Sequence, residues 1–215
     1  MCSADAIHRE SILSELTIAI AALALLLLNA SFTHASDAYH ESIIEHRASV
    51  DAEFRNPDTS PIPDSEIAKF EGLEYFDIDP SLRREARFSP TAKSTAFRMP
   101  AFNGTFMDFA EYGNVTFTMP DGRIVNLSVF QRMGTIAGRF SVLLPFRDLT
   151  NGETTYSGGR YIEYALPLDD SFVVDFNLAF NPYCAHDPTF ACPIPPGENS
   201  LDHGIRAGER IGLHR

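Results

Sequence analysis

The stretch NVTFTMPDGRIVNLSVFQ, residues 114–131, decides the fold class. Its two arms alternate apolar and polar residues, the period of a strand that buries one face and wets the other. The arms meet at Pro120-Asp121-Gly122, a strong hairpin turn. Further short strands are expected on either side. YFDIDP, RREARFS and STAFRMP precede the hairpin, and RFSVLLPF (139–146) follows it. Turns are expected at Thr150-Asn151-Gly152-Glu153 and at Ser157-Gly158-Gly159. FVVDFNLAF (172–180) reads as the most regular strand. Phe172, Val174, Phe176, Leu178 and Phe180 lie on one face, and Val173, Asp175, Asn177 and Ala179 on the other.

The expected fold is therefore mainly β (α+β): a single antiparallel β domain, barrel-like if the sheet curls, over residues 37–215. An N-terminal helical arm precedes the sheet. Residues 37–55 carry Tyr39, Ile43, Val50 and Phe54 near a 3.6-residue period, with Ser36 placed to cap the start. NPDTSPIPD then ends the helix, because three prolines cannot continue it. Residues 1–36 read as a signal peptide or signal anchor. Leu16–Leu28 is an uncharged apolar run too short for a typical spanning helix, and Thr33-His34-Ala35 suits cleavage. The expected location is outside the cytoplasm: periplasmic, secreted or held to the membrane by that segment.

The chain has 215 residues and a net charge of −12. Nucleic acid and anionic membrane surfaces both demand a basic patch, so neither is an expected partner. Membrane contact is expected only through an uncleaved N-terminal segment. Apolar residues make up 44%, with 17 Phe and 7 Tyr, enough for a packed core.

FRDLTNGETTYSGGRYIEY (146–164) is followed in order by VVDFNLAFNPYCAHDPTFACPIPPGENSL and IRAGER. These blocks resemble the bacterial domain-of-unknown-function family numbered 1684, over roughly residues 38–210. That family shows F-x-D-x-T-x-G-x-x-T-Y-x-x-G-R-Y, then D-F-N-x-x-x-N-P-x-C-A, C-P-x-P-P-x-E-N and a terminal A-G-E. The resemblance implies no established activity. At His186 this chain departs from it, since an aromatic residue is expected there.

The candidate chemistry sits in the same blocks. If the strands around 160–166 and 172–180 form a hairpin whose paired numbers sum to 337, Arg160 lies opposite Asn177 and diagonal to Asp175. A guanidinium beside a carboxylate and an amide suits a carboxylate, phosphate or sugar group. The plain alternative is an ion pair on a wet sheet face. Pro193, Pro195 and Pro196 stiffen the chain that leads to Glu198 and Asn199. Asp175 and Glu198 are the candidate catalytic acid/base pair. Arg160, Asn177, Asn199 and Glu209 are the candidate substrate-binding groups. Cys184 and Cys192 could close a disulfide worth roughly 2.5 kcal/mol on the chain-entropy model, or stay as buried thiols. Cys184, His186, Cys192 and His203 lack the close paired spacing of structural zinc, so no metal is expected. No motif names a cofactor, which stays unknown. Two functions fit: a hydrolase of a small polar substrate, or a non-catalytic binding or envelope-associated domain using the same polar pocket.

Overall fold

The hairpin at 114–131 is the centre of the sheet. In this computed structural model, residues 36–135, 140–169 and 171–211 are described. The leader expected at 1–36 thus lies almost wholly outside them. Among the described residues, no helix is long and apolar enough to cross a membrane. The chain divides into two units, residues 1–47 and 48–215. The described part of the first, residues 36–47, is helical throughout. Helix α1 covers 36–55, so Ser36 is helical rather than a cap. In the second unit Phe54 is buried and stacks on Phe70 at 5.3 Å. Asp51 accepts the Leu73 N–H at 3.0 Å, tying the end of α1 to the loop before the sheet. A single short turn, α2 (Asp64–Ile67), lies in that connection.

Seven strands follow: β1 (Arg83–Pro90), β2 (Ala96–Pro100), β3 (Phe106–Thr118), β4 (Ile124–Arg132), β5 (Ser141–Phe146), β6 (Arg160–Ala165) and β7 (Ser171–Asp175). Their order is β6-β5-β4-β3-β1-β7, with β2 also on β3, and every pairing is antiparallel. The first half of β3 pairs with β2 and the second with β1, and the pairing with β4 shifts register between Glu111 and Gly113. Such a bulge bends a strand and sharpens its twist, which lets one strand serve two partners. The sheet curls until its two edges approach. Tyr161 of β6 and Phe180, just past β7, exchange two backbone hydrogen bonds of 3.0 Å. The result is a nearly closed barrel. Val115, Leu127, Val129, Leu144, Phe146, Ile162, Val174 and Phe176 fill it, with Ile205 from the tail.

Two expectations change here. The segment YFDIDP forms no strand; Tyr75 makes one isolated bridge, to Glu209. The strand expected over 172–180 stops at Asp175. The Asp175 carboxylate accepts the Asn177 N–H at 3.0 Å and starts a 3-10 turn over Phe176–Leu178. A side chain that captures its own backbone two residues on competes with the ladder. Alternation therefore ends, and Phe176 and Ala179 are both buried instead of facing opposite ways. Nor do β6 and β7 make the hairpin summing to 337: β6 pairs with β5, β7 with β1.

Candidate functional site

Arg160 is fully buried, and its partners are not those the hairpin register implied. Phe146 lies opposite it across the β5–β6 ladder, and its guanidinium sits 5.3 Å from that ring. Nη2 donates to Asp148 Oδ2 at 2.9 Å and to the Ile205 carbonyl at 2.7 Å. Nη1 donates to the Ala207 carbonyl at 2.5 Å and reaches the Glu209 carbonyl at 3.4 Å. Asp148 is equally occupied. Its Oδ1 accepts the Thr150 N–H at 2.8 Å, the Thr150 hydroxyl at 2.5 Å and the Ile205 N–H at 3.2 Å. The F-R-D-L-T and G-G-R-Y blocks thus build a buried ion pair that clamps the tail segment 205–209 into the barrel mouth.

Asn199 fills a different gap. β4 and β5 share one paired position, Phe130 with Leu143. Where they splay, the Asn199 carboxamide stands in for a peptide group. It accepts the Ser128 N–H at 2.8 Å and donates to the Ser128 and Pro145 carbonyls at 2.8 and 2.6 Å. The proline-stiffened tail does return to the sheet, but Glu198 beside Asn199 is exposed. Asn177 bridges the Asp79 backbone, accepting its N–H and donating to its carbonyl, both at 2.8 Å. Asp175 also receives the Asn177 amide at 2.9 Å and lies 3.9 Å from Arg83 Nε. These four buried side chains, Arg160, Asp175, Asn177 and Asn199, use their polar groups to hold backbone in place.

Of the candidate catalytic and substrate-binding groups, Glu209 is the one that lines a cleft. The tail brings it there through Gly208, whose φ of +76° is left-handed and whose missing side chain admits close packing. A Cβ at Gly208 would lie 2.4 Å from the Ala179 carbonyl oxygen. Only glycine suits both demands. The Glu209 N–H then donates to that carbonyl at 2.7 Å. Its carboxylate accepts the Asn181 N–H at 2.9 Å and the Asn181 amide at 2.8 Å.

A cleft of about 380 Å³ opens over this pair. Asn181, Glu209 and His186 line it together with Phe70 and the charged Glu66, Lys69, Glu71, Glu74 and Arg210. His186 is set edge-on to Phe54, ring centroids 4.9 Å apart. Its side chain is 10% exposed, and Nε2 lies 3.3 Å from Glu209 Oε1. That approach is not aligned for a hydrogen bond, and the buried Nε2 has no hydrogen-bond partner. Four carboxylates line the cleft against one ammonium and one guanidinium, so its field favours neutral or cationic guests.

Cys184 and Cys192 are buried and not joined to each other, beside a separate cavity of about 260 Å³ that Cys192 lines. Among the described residues, no three His, Cys, Asp or Glu side chains converge as a metal site would require.

Sequence reading missed Asp148 as the partner of Arg160, because the two lie twelve residues apart with no periodicity to join them. It also passed over Asn181 and His186 as a site. The one signal was the histidine at 186 where the family pattern suggests an aromatic ring.

The model of a family described as "Protein of unknown function (DUF1684)" matches residues 68–210. The match begins beyond α1, whereas the resemblance set out above reached back to residue 38. A similar solved structure is the solution NMR structure of the uncharacterized protein from gene locus rrnAC0354 of Haloarcula marismortui. The TM-score is 0.67 at 31% identity, covering 85% of this chain and 99% of that one. No curated protein matches the chain.

Proposed function

We propose, for a chain that belongs to the DUF1684 family of proteins of unknown function, a role as receptor for a small polar molecule. The guest is neutral or cationic, and it pairs a hydrogen-bonding group with an apolar or aromatic part. It occupies the cleft over Asn181, His186 and Glu209. One observation carries this reading: His186 lines the cleft, and its buried Nε2 has no hydrogen-bond partner, with the Glu209 carboxylate 3.3 Å away but misaligned. A buried polar atom left unpaired costs about 1–3 kcal/mol, so a site of this kind gains when a guest supplies the partner. Phe70 offers the apolar wall, and the acidic sides repel anions.

A thermal-shift screen of the full chain against cationic, neutral and anionic metabolites tests it. A guest at a hundred times its Kd adds about 2.7 kcal/mol, which raises Tm by roughly 5–10 °C for a domain of this size. His186→Phe keeps a ring against Phe54 and removes Nε2, so it should retain the unliganded Tm and lose the shift. Hits that bind the variant equally well, or hits confined to anions, would defeat the reading.

Hydrolysis of the guest is a second reading, favoured by the 3.3 Å approach of Glu209 Oε1 to His186 Nε2. A carboxylate beside an imidazole can hold or accept a proton at a bound substrate. Here His186 and Glu209 take the parts first given to Asp175 and Glu198. Turnover of a hit by wild type but not by Glu209→Gln separates catalysis from binding alone. Export belongs to the same proposal and rests on the apolar run Leu16–Leu28. N-terminal sequencing of the protein recovered from the producing cell should find a start at Ser36 if the leader is cleaved.

A further inference from the structure

The second cavity points to separate chemistry. Cys184 lies in a 3-10 turn, Tyr183–Ala185, and its backbone N–H donates to the Cys192 sulfur at 3.2 Å. The Tyr156 hydroxyl lies 3.8 Å from the Cys184 sulfur. Both cysteines sit in braced chain. The Cys192 carbonyl accepts the Phe102 N–H at 3.1 Å, and Pro193 bridges Ala101. The Tyr161 hydroxyl donates to the Pro193 carbonyl. The backbone therefore holds the Cys192 sulfur against the turn that carries Cys184. Cys192 faces the cavity of about 260 Å³, which Arg132, Leu143, Tyr161 and Pro193 also line.

We infer that Cys184 and Cys192 are a redox-active dithiol, which a peroxide small enough for this cavity converts reversibly to a disulfide. Apolar surroundings alone would leave buried thiols inert. Three features act against that here. The neighbouring thiol and the Tyr156 hydroxyl both stabilise a negative sulfur. The Cys192 hydrogen bond first, then that of Tyr156, hold Cys184 down to about 7, while the same thiol–thiol bond and burial push Cys192 up. The first proton thus leaves the pair near neutrality, and the second is retained. Finally, the cavity opens onto Cys192, whose charge the Arg132 cation favours and whose sulfur rests on the Cys184 N–H.

The chemistry balances with hydrogen peroxide as oxidant. The Cys184 thiolate attacks one peroxide oxygen. The S–O bond forms, the O–O bond breaks, and hydroxide leaves to take up a proton. The sulfenic acid at Cys184 is then attacked by the Cys192 sulfur, which gives up its proton. An S–S bond forms and a second water leaves. The dithiol loses two electrons and two protons, and the peroxide becomes two waters.

The test uses the reduced full-length protein, treated with hydrogen peroxide, alkylated and digested. The peptides holding Cys184 and Cys192 should be recovered joined, lighter by two hydrogens, and separable again by dithiothreitol. In Cys192→Ser, oxidation should stop at a Cys184 sulfenic acid that a 1,3-dione traps. The alkylation rate of Cys184 by iodoacetamide should rise with a midpoint near 7, against an ordinary 9.0, and Tyr156→Phe should move that midpoint up. His186→Phe should change none of these results. Unlinked Cys184 and Cys192 under peroxide that oxidises Cys2 would overturn the inference. A bond that dithiothreitol cannot open in the folded protein would do so too, since that marks a structural crosslink.

Discussion

Replacing Arg160 by Met tests the clamp on the tail. The substitution keeps an apolar stem of similar reach and removes the charge. Asp148, whose side chain is fully buried with that of Arg160, then keeps its carboxylate with no cation beside it. Breaking a buried ion pair from one side costs about 3–5 kcal/mol. The Ile205 and Ala207 carbonyls also lose their donors. Each would add about 1–3 kcal/mol if it stayed dry, but the exposed Arg206 lies between them, so water can recover part of that. The expected loss is about 4–6 kcal/mol, comparable with the whole stability of many domains. With a urea m-value of about 2 kcal/mol/M, the midpoint should fall by roughly 2–3 M. Urea unfolding followed by far-UV circular dichroism measures it. Arg160→Met/Asp148→Leu removes both charges, and the double variant should be less destabilised than the sum of its singles by about 2 kcal/mol. Glu209 rides on the clamped segment, so guest binding in the cleft should weaken in Arg160→Met even where the protein stays folded. A cost under about 1 kcal/mol, or singles that simply add, would refute the clamp.

Other substitutions probe the remaining positions. Asn199→Ala leaves the Ser128 N–H and two carbonyls unpaired between β4 and β5. It should cost about 3 kcal/mol in the same unfolding assay, whereas Glu198→Ala, one residue away and exposed, should stay within about 0.5 kcal/mol. Gly208→Ala forces a left-handed φ on a side chain that meets the Ala179 carbonyl at 2.4 Å. The expected loss is at least about 2 kcal/mol, with Glu209 displaced from Asn181. The thiol pair gives a pH signature in the reduced protein. Cys184, an acid lowered to about 7 from an ordinary 9.0, adds stability as pH rises from 7 to 9 and loses it as pH falls back through 7. Cys192, an acid raised by the same contact, removes stability above pH 9, where the unfolded chain ionises first. Chemical unfolding of wild type against a Cys184→Ser/Cys192→Ser variant should show that rise and fall in their difference, and a flat difference would contradict it.

The central hairpin was legible because local pattern and turn chemistry agree over 114–131, where Thr118 pairs with Ile124 across the Pro-Asp-Gly turn. The mainly β class and the helix over 36–55 follow from the same kind of periodic signal. The register of β6 was not legible. A strand's alternation says which residues share a face, but not which neighbour it joins, and two edges of a curled sheet look like a hairpin when they are adjacent in sequence. Asp175 hid the end of β7, because a residue that caps a turn also fits an alternating strand. The polar candidates were found as residues but misread as a constellation. Arg160, Asn177 and Asn199 stand out in the sequence because each holds backbone groups that no strand could pair. A lone polar residue in an apolar block looks the same whether it serves structure or a ligand. Glu209 was the candidate that reached the cleft, and its neighbours Asn181 and His186 come from blocks too distant in sequence for spacing to join them.

The most direct test of the account is the side-chain ¹⁵N spectrum of His186 during titration with the best hit from the screen. The account requires the Nε2 resonance to move in step with occupancy, as a guest atom becomes its hydrogen-bond partner, while the resonances of His203 stay put. Saturation of the protein with His186 Nε2 unmoved would place the guest elsewhere and contradict the cleft as the binding site.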